Sequence, residues 1–307
     1  MIRSVSHFLA PFGVFLLLSS VPVAGQSFEA VGERALGMGG AFVAVADDSS
    51  ATWWNPAGLA TGPFLDASLG RVTGSADSRL PASRSGVWSF ALATPPLGVS
   101  YYRLNITEIG PFVPTGDPEA DREDRAAGMG IRSLSVSQFG ATVLHTITTG
   151  VNAGATVKFL RGTASVRQID SSGELSELLD LGGDLEDGDG QGTVDVDLGM
   201  LATVGAVRVG VSGRNLREPK FGDITMSRQV RAGIAFDGAA AGLSPLLVSL
   251  DVDLRRYVAA GGDRRVVAVG GEHWLRPRQF AIRGGARFNT VGEQDHTVTA
   301  GASIAVR

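Results

Sequence analysis

At 307 residues, with 42 glycines, no cysteine and a formal charge of −4, the chain has room for one large domain or two ordinary ones. The missing cysteines exclude a disulfide framework, a thiolate metal site and a lipid-anchoring cysteine. Basic and acidic residues nearly balance, 27 against 31, and no basic run exists to bind nucleic acid. Glycine at about twice its usual share of roughly 7% favours β structure with tight turns, or closely packed backbone, over a helical bundle.

The chain opens with Arg3, a largely apolar run from Phe8 to Val23, and the small residues Ala24 and Gly25. This is the order of a secretory signal peptide, expected to occupy residues 1–25 with cleavage near Gly25–Gln26. The alternative, a retained anchor helix, is disfavoured by Pro11 and by a run of only about 15 apolar residues. Beyond residue 30 no apolar run approaches the length of a membrane helix, yet mean hydropathy is +0.14. An exported chain of that kind is unusual as a soluble protein. It is ordinary for a membrane β-barrel, which hides its apolarity in every second residue.

Next comes Glu33–Ala60, ERALGMGGAFVAVADDSSATWWNPAGLA. Gly37, Gly39 and Gly40 lead into a small apolar run. Asp47-Asp48, then Trp53-Trp54-Asn55-Pro56-Ala57-Gly58-Leu59, follow. Glycines at the start suit close approach of this backbone to another surface.

From Leu65 onward the period is two. Leu65, Ala67 and Leu69 alternate with polar or small residues, as do Trp88, Phe90 and Leu92, which end at a Pro95-Pro96 turn. A strand is expected over 97–107, then two long ones over about 131–146 and 150–168. The rest centre on Thr193–Val204, Val207–Ser212, Val230–Asp237, Leu246–Arg255, 264–275, Phe280–Asn289 and Thr297–Val306. Residues 108–130 and 170–192 read as long exposed loops, the second with a short helix over Glu174–Leu181. About twelve segments result, most of them long enough to cross a bilayer, with fourteen the alternative.

In a barrel in lipid the apolar faces point outward and the polar faces inward. Lys158, Asp195, Asp197, Arg208, Arg231, Asp251, Asp253, Arg255, Arg283 and Arg287 then all face the lumen. Both signs occur on strands consecutive in sequence, so ion-pair ladders are expected rather than a pore of one sign. A water-exposed soluble sheet would show the same alternation. So many strands with no helical layer to cover a second face favour the barrel.

The Glu33–Ala60 block resembles the N-terminal segment of the FadL-like outer-membrane barrels, particularly their PorV/PorQ and TraF-like branches. So do Asp197-Leu198-Gly199, Gly213 to Pro219, Arg228 to Ala235, Asp251 to Leu254 and Gly271 to Trp274. The resemblance implies an all-β fold: a transmembrane antiparallel barrel over 63–307, with a short helical hatch over 26–62 tucked into the lumen. Fourteen strands are common in that family. Asp47, Asp48, Trp53, Trp54, Asn55 and Pro56 become the candidate hatch and ligand residues. It implies an outer-membrane, non-enzymatic protein without cofactor: a passive channel for hydrophobic or amphipathic small molecules, or a PorV-like partner of a secretion or surface-assembly protein. Outer-membrane lipid is a partner in either case, and the oligomeric state is open. One departure is the closing Ala305-Val306-Arg307, where such barrels usually end in an aromatic residue.

Other motifs carry less. Gly37-Met-Gly-Gly lacks the strand that precedes a phosphate loop. Asp187-Gly-Asp189-Gly has Leu198 where a calcium loop needs glutamate, and reads as a turn. His273 and Glu272 are adjacent on a strand and point to opposite faces, which disfavours a catalytic pair. Trp88 suits an interfacial belt, and Trp53 and Trp54 suit the hatch core.

Overall fold

The computed structural model describes residues 31–76, 82–111, 129–169, 174–183, 190–222, 224–259, 262–275, 279–292 and 295–305. The signal segment and Asp187 and Asp189 lie outside these described residues. Twelve antiparallel strands pair in chain order in one curled sheet. They are β1 (Asp66–Ala76), β2 (Ala82–Thr94), β3 (Leu97–Pro111), β4 (Met129–Thr148), β5 (Val151–Ile169) and β6 (Gln191–Val204). The remaining six are β7 (Val207–Arg214), β8 (Gln229–Asp237), β9 (Leu246–Asp253), β10 (Val266–Leu275), β11 (Phe280–Asn289) and β12 (His296–Ile304).

Among the described residues each predicted strand is present, and the sheet has the twelve strands expected rather than fourteen. Some boundaries shift. Glu108–Pro111 belongs to β3, which trims the predicted loop, and 112–128 is outside the described residues. The helix of the next loop is Leu175–Gly183. Two small hairpins, Lys220–Phe221 with Ile224–Thr225 and Tyr257–Ala259 with Gly262–Arg264, carry too little periodic sequence to be read in advance.

The inside–outside order is that of a barrel in lipid. Leu69, Phe139, Phe159 and Ile282 point outward and are more than half exposed, whereas Lys158, Asp195, Arg231 and Asp251 point inward and are fully buried. One connection end is short, as at Pro95-Pro96, and the other carries the long loops. β4 and β5 have 20 and 19 residues, about twice what a bilayer requires, so they project beyond it on the long-loop side.

The hatch consists of α1 (Glu33–Gly37), α2 (Ala51–Trp54) and a 3-10 turn (Pro56–Thr61). Its Phe42, Trp53, Trp54 and Leu59 form most of the interior's hydrophobic core, with Tyr102 and Leu104 of β3. Core and hatch are the same object. Among the described residues β1 pairs only with β2 and β12 only with β11. At that seam α1 lies against both edges: Thr299 Oγ1 donates to the Gly37 carbonyl at 3.1 Å, and the Glu33 carboxylate abuts Gly70.

Candidate functional site

The hatch sits so close to the wall that side chains are missing where the two meet. Gly154 of β5 faces Gly199 of β6, Gly210 of β7 faces Gly233 of β8, and Gly270 of β10 faces Gly285 of β11. A Cβ on Gly154 would lie 2.4 Å from the Pro56 carbonyl carbon, and one on Gly199 would lie 2.0 Å from Asn55 Oδ1. At Gly210 it would meet the Val43 carbonyl, and at Gly270 and Gly285 the Met38 backbone. Three facing glycine pairs thus receive three successive stations of the hatch. Isolated glycines inside strands mark such close approach.

Gly285→Ala places its Cβ 2.3 Å from Met38 C and 2.4 Å from Gly39 N, atoms that cannot swing aside. Overpacking of this kind costs about 1–3 kcal/mol. The expected result is a correspondingly lower denaturant midpoint in detergent. Gly86→Ala, which meets nothing within 4 Å, leaves the midpoint unchanged. Equal midpoints for the two variants would remove the clasp from this account.

Polar groups complete the grip. Asp251 Oδ2 of β9 accepts from the Phe42 and Val43 backbone N–H groups, both at 2.8 Å. Asn55 is the hinge pin of the WWNPAGL stretch. Its Oδ1 accepts from Ala57 N, while Nδ2 donates to the carbonyls of Val43 and Met200 at 2.9 and 3.0 Å. One amide therefore ties the 3-10 turn, the earlier hatch and β6 together. Trp54 Nε1 donates to the Val31 carbonyl, and Trp53 meets Tyr102 edge to face at 4.8 Å.

Among the described residues, the charges around the hatch fall into three groups. In the first, Lys158 Nζ lies 2.9 Å from Asp195 and 2.6 Å from Asp197, and donates to Asn215 Oδ1 at 3.0 Å. Asn215 has φ 52°, a left-handed conformation that asparagine tolerates, and its N–H reaches Asp197. Arg214 joins them, its guanidinium stacked 3.5 Å from the Trp53 ring centroid. The Gly213–Pro219 text is thus the cap of a buried, charge-balanced cluster. In the second group Arg231 pairs with Asp253 at 2.7 Å and donates to the Gly40 carbonyl at 3.4 Å.

The third group links hatch to wall through Arg34, which contacts Asp47 at 2.5 Å, Asp48 at 3.3 Å and Glu272 at 2.9 Å. Glu272 also holds Arg283, and Arg208 bridges Asp47 and Asp237 at 3.3 and 3.1 Å. Burial works against the Arg34 charge, but Asp47, Glu272 and Asp48 outweigh it and raise its pKa. Burial also pushes the Asp48 carboxyl up, only partly opposed by Arg34.

Of the residues read as lumenal, Lys158, Asp195, Asp197, Arg208, Arg231, Asp253 and Arg283 meet in these groups, Asp251 points inward to the hatch backbone, and Arg287 shares their face, half-buried. Arg255 does not belong with them. β9 ends at Asp253, the chain bends toward the small hairpin, and Arg255 is exposed. Arg34, Arg214, Asp237 and Glu272 are not among the residues read as lumenal charges from the sequence. Glu272 points inward into the Arg34–Arg283 group, while the adjacent His273 points the other way. Trp88 points outward and half-exposed, with the Arg71 guanidinium 5.0 Å from its ring centroid. Among the described residues no group of three or more His, Asp or Glu side chains is arranged to hold a metal.

Apolar wall, charged interior and an N-terminal segment filling the lumen define a transmembrane β-barrel with a hatch. The solved structure of the Pseudomonas putida toluene transporter TodX has this fold. It superposes with a TM-score of 0.52 over 90% of this chain and 89% of that one, at 12% identity. No family model and no curated protein matches the sequence.

Proposed function

We propose that this protein is an outer-membrane barrel, exported by residues 1–25, through which hydrophobic or amphipathic small molecules pass passively. The observation that carries this is a lumen closed by its own N-terminal segment in a fold shared with a toluene transporter. With Phe42, Trp53 and Trp54 fully buried at hatch level, passage requires the hatch to shift or the wall to open sideways. Asp47, Asp48, Trp53, Trp54, Asn55 and Pro56 are the residues a passing molecule displaces or touches. The glycine clasp favours a second reading, because a hatch so tightly held suits a fixed structure. In that reading the barrel is a PorV-like platform for a secretion or assembly protein, and the long loops do the work.

Native mass spectrometry of the protein extracted from its own membrane in mild detergent separates the two. The transport reading expects a co-purifying lipophilic small molecule that is lost in Trp53→Ala. A co-purifying protein, lost on trimming 112–128 or the loop carrying Leu175–Gly183, overturns transport as the main role.

A further inference from the structure

The outer wall of β2–β5 carries polar groups just above its apolar belt. Phe90, Tyr101, Phe139 and Phe159 stand side by side in register on the outward face. Two residues further toward the long loops, the next outward row is Trp88, Arg103, Ser137 and Arg161. Beyond that row come Asn105, Ser135 and Thr163, again in register. Farther still the wall turns apolar, and α3 (Leu175–Gly183) covers it: Leu178 and Leu179 pack on Ala82, Ile109 and Ile131. A polar shelf therefore lies between an aromatic belt and an overhanging helix. It holds an open, shallow depression of about 200 Å3 lined by Arg103, Ser135, Ser137, Arg161, Gly162 and Thr163.

The position and chemistry select a ligand. Aromatic side chains gather where the hydrocarbon of a bilayer meets its headgroups. The arginines one row above them stand at phosphate level, on the side away from the short turns. Two guanidinium forks from alternate strands suit a tetrahedral, multiply charged anion, which arginine binds bidentately. One of the two serine hydroxyls is oriented to help. Ser137 accepts from the Tyr101 hydroxyl at 3.3 Å, which leaves its own O–H to donate. Ser135 spends its proton on Asn105 Oδ1 at 2.8 Å. Asp180 of α3 is engaged by Arg84, so it does not oppose an anion here.

We propose that the Arg103–Arg161 shelf binds the phosphate of an anionic lipid in the leaflet on the long-loop side. This rests on the barrel's place in a membrane and is independent of what crosses the lumen. The full-length mature protein in neutral detergent, given diphosphoryl lipid A or its dephosphorylated form, tests it by native mass spectrometry. Wild type retains the phosphorylated lipid, and the R103Q/R161Q variant binds it at least about tenfold more weakly. R255Q, exposed elsewhere, behaves as wild type, and R103K/R161K retains part of the binding. Equal retention by wild type and R103Q/R161Q, or equal retention of the dephosphorylated lipid, overturns the proposal. Displacement by millimolar inorganic phosphate overturns its lipid part and makes the free anion the ligand. Should R103Q/R161Q fail to fold, wild-type retention is read against salt, and retention that ignores ionic strength sinks the idea. Loss of lipid with unchanged small-molecule passage leaves the transport reading intact, so the two fail separately.

Discussion

Replacing Asp251 by alanine is expected to loosen the hatch without dismantling the barrel. The Asp251 carboxylate, fully buried, is the acceptor for two consecutive hatch N–H groups. Removing it orphans both where the hatch backbone packs against the wall. Each orphaned buried group costs about 1–3 kcal/mol, so the hatch loses about 2–6 kcal/mol of docking if the two add. Asp251→Asn keeps one oxygen that can accept both bonds and should cost markedly less. Hydrogen exchange at Phe42 and Val43, and protease cleavage within 31–62, are the readouts. Exchange in Asp251→Ala as slow as in wild type would falsify the view that this carboxylate holds the hatch. Passage of small molecules through Asp251→Ala, measured in proteoliposomes, should rise if hatch displacement opens the lumen.

The second large effect is expected at Lys158. Its ammonium is the shared partner of Asp195 and Asp197, and all three are buried. Lys158→Met fits the space but leaves two buried carboxylates with Arg214, 3.7 Å from Asp197, as the nearby cation among the described residues. Removing one member of a buried ion cluster typically costs about 3–5 kcal/mol, because the remaining charges keep their desolvation penalty. A drop of that size in unfolding free energy in detergent is the expected outcome. K158M/D195N should recover part of it, since one uncompensated charge is gone. If K158M/D195N is less stable than K158M alone, charge balance is not what matters in the cluster.

The strands were legible because period-two alternation is a local property, and it survived even where burial is inverted. Asp195, Asp197, Asp251 and Asp253 could be placed on the inner face for the same reason. Their partners were not all legible. Pairing between Arg34 and Glu272 spans 238 positions, and nothing near either residue announces the other. The glycine pairs left a partial signal. Gly154, Gly199 and Gly210 lie an even number of residues from Lys158, Asp197 and Arg208 and so share their inward face, but that they face other glycines depends on register, which one strand alone does not contain. Arg255 followed the alternation one turn too far, since period alone does not say where a ladder stops. α3 was readable as a helix, whereas its seat on the outside of the wall follows from β2–β5 being longer than a bilayer.

The contact between Phe42 and Asp251 has a consequence for the order of assembly. The hatch leaves the ribosome before the wall, yet its stations are supplied by β5 through β12, the last one only when the final hairpin is in place. Joining ends so far apart in the chain costs loop entropy, which is recovered only once the stations exist. A segment made before the wall is thus the last to be fully housed. Until then the curled sheet surrounds a wet interior in which Asp251 lacks its two hatch N–H donors. Whatever escorts this chain to its membrane must tolerate an N-terminal segment carrying Phe42, Trp53 and Trp54 in the open.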